Sequence, residues 1–352
     1  MSTYLKKCLF VYPLPNSFVK EDQESLARIG IQVNSLLVRP TRNPVLFAFR
    51  QLYAGIKALF LLPFQDRLIC WFSDYHSFLP LLITKLFHVP SLIIVGGFDA
   101  VSDPDNRYGI FYKKGIRQQI ARWNYQLASE IWVVDASLQK GCPHAKERDG
   151  IHSGLENWMP HIAPKVAVVP TAYDPDRWKP SQAKRPKTII TVANFTSEQV
   201  VKRKGIPQFI NMAKQFPDWQ FTIVGDSKGL IRNKTKLPAN LRVMGKMKQE
   251  QLVSLYSEHY CYFQGSRVEG LPNVLCEAML CECVPIGQKA FGIETAIGTT
   301  GLVFQELSTT EKSHKLLVEA EQLNGALCRE RISQNFPKSK REKKLKQLFD
   351  LI

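Results

Sequence analysis

Glu269 and Glu277, with seven residues between them, lie in the run Phe263-Gln-Gly-Ser-Arg-Val-Glu-Gly-Leu-Pro-Asn-Val-Leu-Cys-Glu277-Ala-Met. An apolar strand ends there in a glycine-containing loop, and Pro272 opens a helix. Proline suits a first helical turn, since its missing N–H would have no partner there anyway. The helix is expected to run to about Cys283 and to stop before Pro285. A helix start presents free backbone N–H groups and the positive end of the dipole, so the turn Gly270 to Val274 is a natural seat for a phosphate or diphosphate. Gly270 would let such a group approach the backbone closely.

Glu277 falls about a turn and a half into this helix, among the apolar Val274, Leu275, Ala278, Met279 and Leu280. A carboxylate buried there needs a partner. The hydroxyls of a ribose would supply one, and Glu269, in the loop before the helix, would meet the hydroxyls of a sugar beyond the diphosphate. Plainer roles stand beside these: Glu277 pairs with a lysine or faces water. Helix geometry alone does not choose between them.

The elements that must position these residues are legible as apolar runs. A chain of 352 residues suggests two domains at about 150 residues each, and 45% apolar with 22% charged residues excludes wholesale disorder. β-Branched and large apolar residues recur at Cys8 to Tyr12, Val33 to Val38, Leu68 to Phe72, Ser91 to Val95, Ile131 to Val134 and Val166 to Val169. Helix-length stretches separate most of them, which predicts a parallel sheet covered on both faces. A second series follows at Thr188 to Ala193, Phe221 to Val224, Leu241 to Met244, Cys261 to Gln264 and Val284 to Gly287. The polar, proline-bearing segment between the series sets a boundary at 176 to 186. The expected domains are 1–176, 187–332 and a basic helix, 333–352, read as solvated with one apolar face or as packing back on the first domain.

A formal charge of +16 attracts anions of every kind: nucleic acid, acidic lipid or phosphorylated substrate. Against nucleic acid, the cations are dispersed and no zinc-finger or RNP-type motif is present. The eight cysteines, with Cys276, Cys281 and Cys283 clustered but lacking a paired Cys/His set at zinc-finger spacing, read as reduced thiols. The N-terminus lacks a secretory layout. Val45 to Phe64 approaches the length of a membrane span but contains Arg50 and Lys57, which favours an amphipathic helix. Lys57, Lys113, Lys114, Arg117 and Arg122, interleaved with Phe49, Tyr53, Phe60, Phe111 and Trp123, suit an anionic membrane surface; two ordinary helices with charged outer faces fit them equally well.

The run Glu-Gly-Leu-Pro-Asn-Val-Leu-Cys-Glu resembles the signature of family 4, group 1, retaining glycosyltransferases of the GT-B fold. Val168-Val-Pro-Thr-Ala-Tyr-Asp-Pro-Asp-Arg-Trp-Lys-Pro180 is similar to the segment closing that family's first domain. Arg203-Lys204-Gly205 resembles its lysine-glycine motif, and Ile223-Val-Gly-Asp226 its next strand and turn. The resemblance implies an α/β fold of two doubly wound, Rossmann-like domains facing each other across a cleft. It also implies transfer of a sugar from a nucleoside diphosphate sugar to a glycan or lipid-linked acceptor, with retention of configuration, in cell-envelope polysaccharide or glycolipid synthesis. By that likeness Glu277 binds the donor ribose and Glu269 the transferred sugar. The backbone amides of Gly270, Leu271, Asn273 and Val274 contact the sugar and diphosphate, and Lys204, helped by Arg203, neutralises the leaving diphosphate. Fixed cations would serve best as charge builds on that leaving group.

Two departures stand out. The family carries an arginine soon after the first strand of its second domain, where Val192-Ala-Asn-Phe-Thr196 has none, leaving Arg203 or Lys202 as substitutes. Many members also have a histidine after the fourth strand of the first domain, where this chain reads Val95-Gly-Gly-Phe-Asp99. Asp99, at a strand end where open sheets bind ligands, and His76, in Trp71-Phe-Ser-Asp-Tyr-His76, are the alternatives for facing the sugar. No cofactor and no metal are expected, nor nucleic acid as a partner, and the expected location is cytoplasmic or peripheral on the inner face of the cell membrane. Competing readings are a sugar-nucleotide epimerase of the same fold, an inactive scaffold and a basic nucleic-acid-binding protein.

Overall fold

Two six-stranded parallel sheets account for the apolar runs in a computed structural model that describes residues 5–233 and 236–351. The ends of the expected first domain (1–4) and C-terminal helix (352), with 234 and 235 of the second domain, lie outside the described residues. The first unit holds β1 (Lys7–Tyr12), β2 (Gln32–Leu37), β3 (Arg67–Trp71), β4 (Ser91–Val95), β5 (Val101–Ser102), β6 (Glu130–Val133), β7 (His152–Ser153) and β8 (Val166–Val168). Its sheet runs β2-β1-β3-β4-β6-β8, all parallel, while β5 and β7 form a small antiparallel pair. Leu9, Leu68, Leu92 and Ile131, on the central strands, are fully buried, as parallel strands with both faces covered require.

The second unit holds β9 (Arg185–Val192), β10 (Gln220–Val224), β11 (Leu241–Met244), β12 (His259–Gln264), β13 (Val284–Gln288) and β14 (Leu302–Phe304). Its order, β11-β10-β9-β12-β13-β14, reverses direction between β9 and β12. Ligands of open α/β sheets bind beyond the carboxyl ends of the strands at such a reversal, here beyond Val192 and Gln264. The fully buried Ile189, Phe209, Phe263 and Ile286 form the centre of its core.

Contacts divide the chain into Met1–Ala172 with Lys338–Ile352, and Tyr173–Pro337. The segment expected as a linker thus belongs to the second unit. Arg329, on the helix Gly325–Asn335, donates to the carbonyl oxygens of Pro175 (2.8 Å) and Trp178 (2.7 Å), and the Ser181 amide donates to Ser257 Oγ at 3.0 Å. The last helix, Lys338–Leu348, joins the first unit and buries Leu345 and Leu348 together with Arg341. A solvated helix with one apolar face describes it incompletely, because a guanidinium is buried with the leucines.

The apolar stretch after β2 forms the helix Pro44–Leu61, opened by Pro44 at its first turn and capped by Asn43, whose Oδ1 accepts from Leu46 N at 3.0 Å. It buries the small residues Ala54, Gly55 and Ala58 against its own unit, leaving Phe49 and Phe60 65% and 69% exposed.

Candidate functional site

Ser197 caps the helix Glu198–Arg203, its Oγ accepting from Val200 N, and Lys204 and Gly205 then turn the chain toward the next helix, Ile206–Gln215. Gly205 has φ +71°, and a Cβ there would stand 2.3 Å from the Gly265 carbonyl oxygen. Both the left-handed conformation and the close approach require glycine. Beside this contact the Arg267 amide donates to the Arg203 carbonyl at 3.0 Å. The segment following β9 and the loop following β12 are thereby fastened together at the point where the strand order reverses.

That fastening brings Lys204 and Glu269, 65 residues apart, into an ion pair. Both side chains are mostly buried, at 18% and 14% exposure. Gln264, the last residue of β12, donates from Nε2 to Glu269 Oε1 at 3.0 Å and to Ser266 Oγ at 2.7 Å, fixing the carboxylate from its other side. Burial pushes the Glu269 carboxyl up, but the Lys204 ammonium, then Arg203 and the Ser266 hydroxyl, outweigh it and hold the carboxyl below its ordinary range. Glu269 is therefore a fixed anion at neutral pH with a cation against it.

Pro272 precedes the helix Asn273–Leu280, one residue before the first helical position. Gly270 and Leu271 are buried while Asn273 and Val274 are half-buried. The Tyr173 hydroxyl donates to Asn273 Oδ1 at 2.8 Å, tying the helix start to the beginning of the unit. From the start of the short helix after β13, Gly292 backs the same turn, since a Cβ there would lie 2.0 Å from the Gly270 carbonyl oxygen. Phe291 just before it takes φ +50°, an uncommon conformation for a bulky residue. Glu277 is buried, at 8% exposure, and its charge raises the pKa of the buried Tyr256 and Tyr262 further than burial alone does.

Arg203 and Lys204 are half-buried next to this loop, whereas Lys202 points into solvent, so of the two substitutes for the missing arginine only Arg203 is close to Glu269. Asp226 serves structure. Its carboxylate accepts from Leu230 N (2.7 Å), Ile231 N and Arg232 N (both 3.0 Å), and Gly225 before it lies against the Ala193 carbonyl.

In the first unit both alternatives for facing a sugar are buried and hydrogen-bonded within the protein. Asp99 is fully buried. Its Oδ2 accepts from Ser73 N (3.1 Å) and its Oδ1 from Gly96 N (3.2 Å) and Gly97 N (3.1 Å), so it clamps the loop after β4 to the loop after β3. Burial pushes its carboxyl up to about 7 despite these bonds. His76 is 4% exposed and bonds through Nε2 to the Trp71 carbonyl at 2.8 Å; burial lowers its pKa. Neither side chain offers a free surface to a ligand. Phe111, expected to be exposed, is buried and stacked on Trp158 with ring centroids 4.8 Å apart.

All eight cysteines are free and buried. Among the described residues no group of three His, Cys, Asp or Glu side chains is arranged to hold a metal ion. Sequence reasoning missed Gln264 and Gly292. A polar residue closing the apolar strand and a glycine opening a helix after the following strand were the signals for them.

The arrangement can bind an anion at a helix start and stabilise charge developing beside Lys204. Residues 173–335, nearly the whole second unit, match the family model of glycosyl transferases group 1. A phosphatidylinositol N-acetylglucosaminyltransferase gpi3 subunit from Schizosaccharomyces pombe is 25% identical over 138 residues, 37% of this chain but only 30% of that protein. Among solved structures, sucrose-phosphate synthase from Thermosynechococcus elongatus superposes with a TM-score of 0.72 at 14% identity, covering 98% of each chain. The catalytic domain of starch synthase IV from Arabidopsis thaliana, bound to ADP and acarbose, gives 0.69 at 12% identity over 99% of each chain. Anabaena HepE in complex with UDP gives 0.68 at 13% identity, covering 98% of this chain and all of the other. These likenesses bear out the expected GT-B class of two doubly wound α/β units.

Proposed function

From the premise that the second unit is a group 1 glycosyl transferase domain, we propose that this chain transfers a sugar from a nucleoside diphosphate sugar to a glycan or lipid-linked acceptor, retaining the anomeric configuration. The observation that carries the reading is the Lys204–Glu269 pair, held beside the start of the helix Asn273–Leu280 at the strand reversal of its sheet. In this reading the amides of Gly270, Leu271, Asn273 and Val274 receive the diphosphate and the sugar, and Glu277 takes the ribose hydroxyls. Glu269 orients the sugar. As the bond from the anomeric carbon to the phosphate oxygen breaks, its electron pair goes to the diphosphate, the acceptor hydroxyl oxygen bonds the anomeric carbon from the same face and its proton passes to the departing phosphate oxygen, while Lys204 with Arg203 stabilises the charge on the diphosphate most in the transition state. The ADP bound to the starch synthase and the UDP bound to HepE support a nucleoside diphosphate. The name of the fission-yeast relative, with its phosphatidylinositol, supports a lipid-borne acceptor. Cytoplasmic synthesis of an envelope polysaccharide or glycolipid, without metal or further cofactor, completes the proposal.

A thermal-shift screen against UDP, GDP, ADP and CMP, their sugar conjugates and a DNA oligomer tests it. One diphosphate should stabilise the protein selectively, and Lys204→Ala and Glu277→Ala should each weaken that ligand about 10- to 100-fold, the loss of one charge-assisted contact. Stabilisation by DNA alone would overturn the reading. With an acceptor in hand, the anomeric configuration of the product, read by NMR, tests retention.

A further inference from the structure

The helix Pro44–Leu61 is turned inside out for a soluble protein. Its small residues Ala54, Gly55 and Ala58 face its own unit, and Phe49, Leu52, Ile56 and Phe60 face out at spacings of three and four. An ordinary surface helix buries its large apolar side chains and exposes the rest. The packing is well made: a Cβ on Gly55 would already lie 3.0 Å from Leu79 Cδ1 on the neighbouring helix Tyr75–Phe87. That helix in turn packs beside Ile116–Leu127, with the Phe78 and Trp123 rings 5.8 Å apart. The apolar exposure continues across the three helices through Leu86 at 64% and Ile116 at 75%.

Charge accompanies it. Residues 39–64, 74–90 and 111–127, the three helices with their flanks, carry nine Lys and Arg against one acidic residue, Asp74, which pairs with Arg117. Their share of the +16 is far out of proportion to their length.

We propose that this three-helix face docks on an anionic lipid bilayer, with the helix Pro44–Leu61 lying in the interface plane, its phenylalanines and leucines in the acyl boundary and the surrounding cations at the headgroups. Apolar side chains rimmed by Lys and Arg are what such a surface recognises. A second copy of the chain is disfavoured as the occupant, because two such faces repel each other wherever their cations approach. By length and composition Pro44–Phe64 could cross a bilayer, but crossing would strip the helix from Leu79 and place Arg50 and Lys57 in hydrocarbon. The inference concerns attachment and stands apart from the donor chemistry.

Flotation of the full chain with vesicles tests it. Binding is expected to phosphatidylcholine vesicles containing about a third phosphatidylglycerol, and not to phosphatidylcholine alone. Phe49→Ser/Phe60→Ser should weaken partition at least about tenfold, and Lys113→Gln/Lys114→Gln roughly 30-fold at low salt. All four positions lie outside the core, so both variants should melt with the wild type. Lys204→Ala should float as the wild type does, which separates this result from failure of the donor reading. Wild-type protein that stays with the soluble phase, or that forms a dimer abolished by Phe49→Ser/Phe60→Ser, overturns the proposal.

Discussion

Arg341 and Asp22, 319 residues apart in sequence, form a buried two-pronged ion pair in the first unit: Nε meets Oδ1 at 2.5 Å and Nη2 meets Oδ2 at 2.7 Å, with each side chain 3% exposed. Neighbouring groups bond both partners further. Trp71 Nε1 donates to Asp22 Oδ2 at 2.9 Å, and Arg341 Nη1 donates to the carbonyls of Val169 (3.0 Å) and Pro170 (2.7 Å). One guanidinium thus ties the C-terminal helix to Asp22 and to the segment after β8, beside the ion pairs Arg28–Glu342 and Lys338–Glu21.

Removing one partner of such a pair strands the other charge in the interior, which costs about 3–5 kcal/mol. Arg341→Met is expected to lower the stability of the first unit by that amount, read by urea unfolding through tryptophan emission. Asp22→Asn/Arg341→Met, which leaves no orphan charge and keeps an acceptor for Trp71, should be less destabilised than the single Arg341 variant.

The Lys204–Glu269 pair makes a prediction about pH. Its carboxyl sits below its ordinary value of 4.5 when folded, so its contribution to stability is present above that value and is lost as pH falls through the folded one. In Lys204→Met burial remains and the main opposing cation is gone, so the carboxyl should rise. The acid limb of the pH–rate profile should then move upward. A limb that stays in place would mean that ionisation of Glu269 does not control the rate.

Most of the frame was legible because parallel strands covered on both faces must be written as unbroken apolar runs: Ser91 to Val95 matches β4, buried along its whole length, residue for residue. β14 was missed because Leu302–Phe304 is too short to stand out, and β9 begins at Arg185, in residues polar enough to read as linker. The loop-to-helix turn at Gly270 to Val274 was legible from local chemistry. Side-chain partners were not. Asp99 stands at a strand end as a ligand would want it, yet the Ser73 amide, 26 residues away, and the amides of Gly96 and Gly97 occupy it. Nothing near Arg341 in sequence announces Asp22, and arginine is rarely so fully buried.

Asp99 should therefore shape stability more than turnover. Its folded carboxyl lies near 7 against 3.8 when free, so its contribution is complete below about 4 and is lost as pH rises through 7. Asp99→Asn removes this titration, and urea midpoints between about pH 4 and pH 7 should fall less steeply in the variant than in the wild type. The variant should also lose about 1–3 kcal/mol at the acid end, because one amide oxygen cannot satisfy three converging N–H groups.

Gly205 offers the sharpest separation of loop geometry from charge. Gly205→Ala leaves Lys204, Arg203 and Glu269 in the sequence, but its Cβ would need the space 2.3 Å from the Gly265 carbonyl while φ is held at +71°. Backbone cannot yield there as a flexible side chain would, so the two segments beyond β9 and β12 must part. Displacing a charge-bearing loop by about 1 Å can cost on the order of 100-fold in rate, and that is the loss expected in sugar transfer. Gly150→Ala is the control: it shares a positive φ, +65°, but meets nothing within 4 Å, so it carries the strain without the collision. Activity that falls equally in both variants would trace the effect to strain and instability; activity lost only in Gly205→Ala would assign it to the register of Lys204 against Glu269.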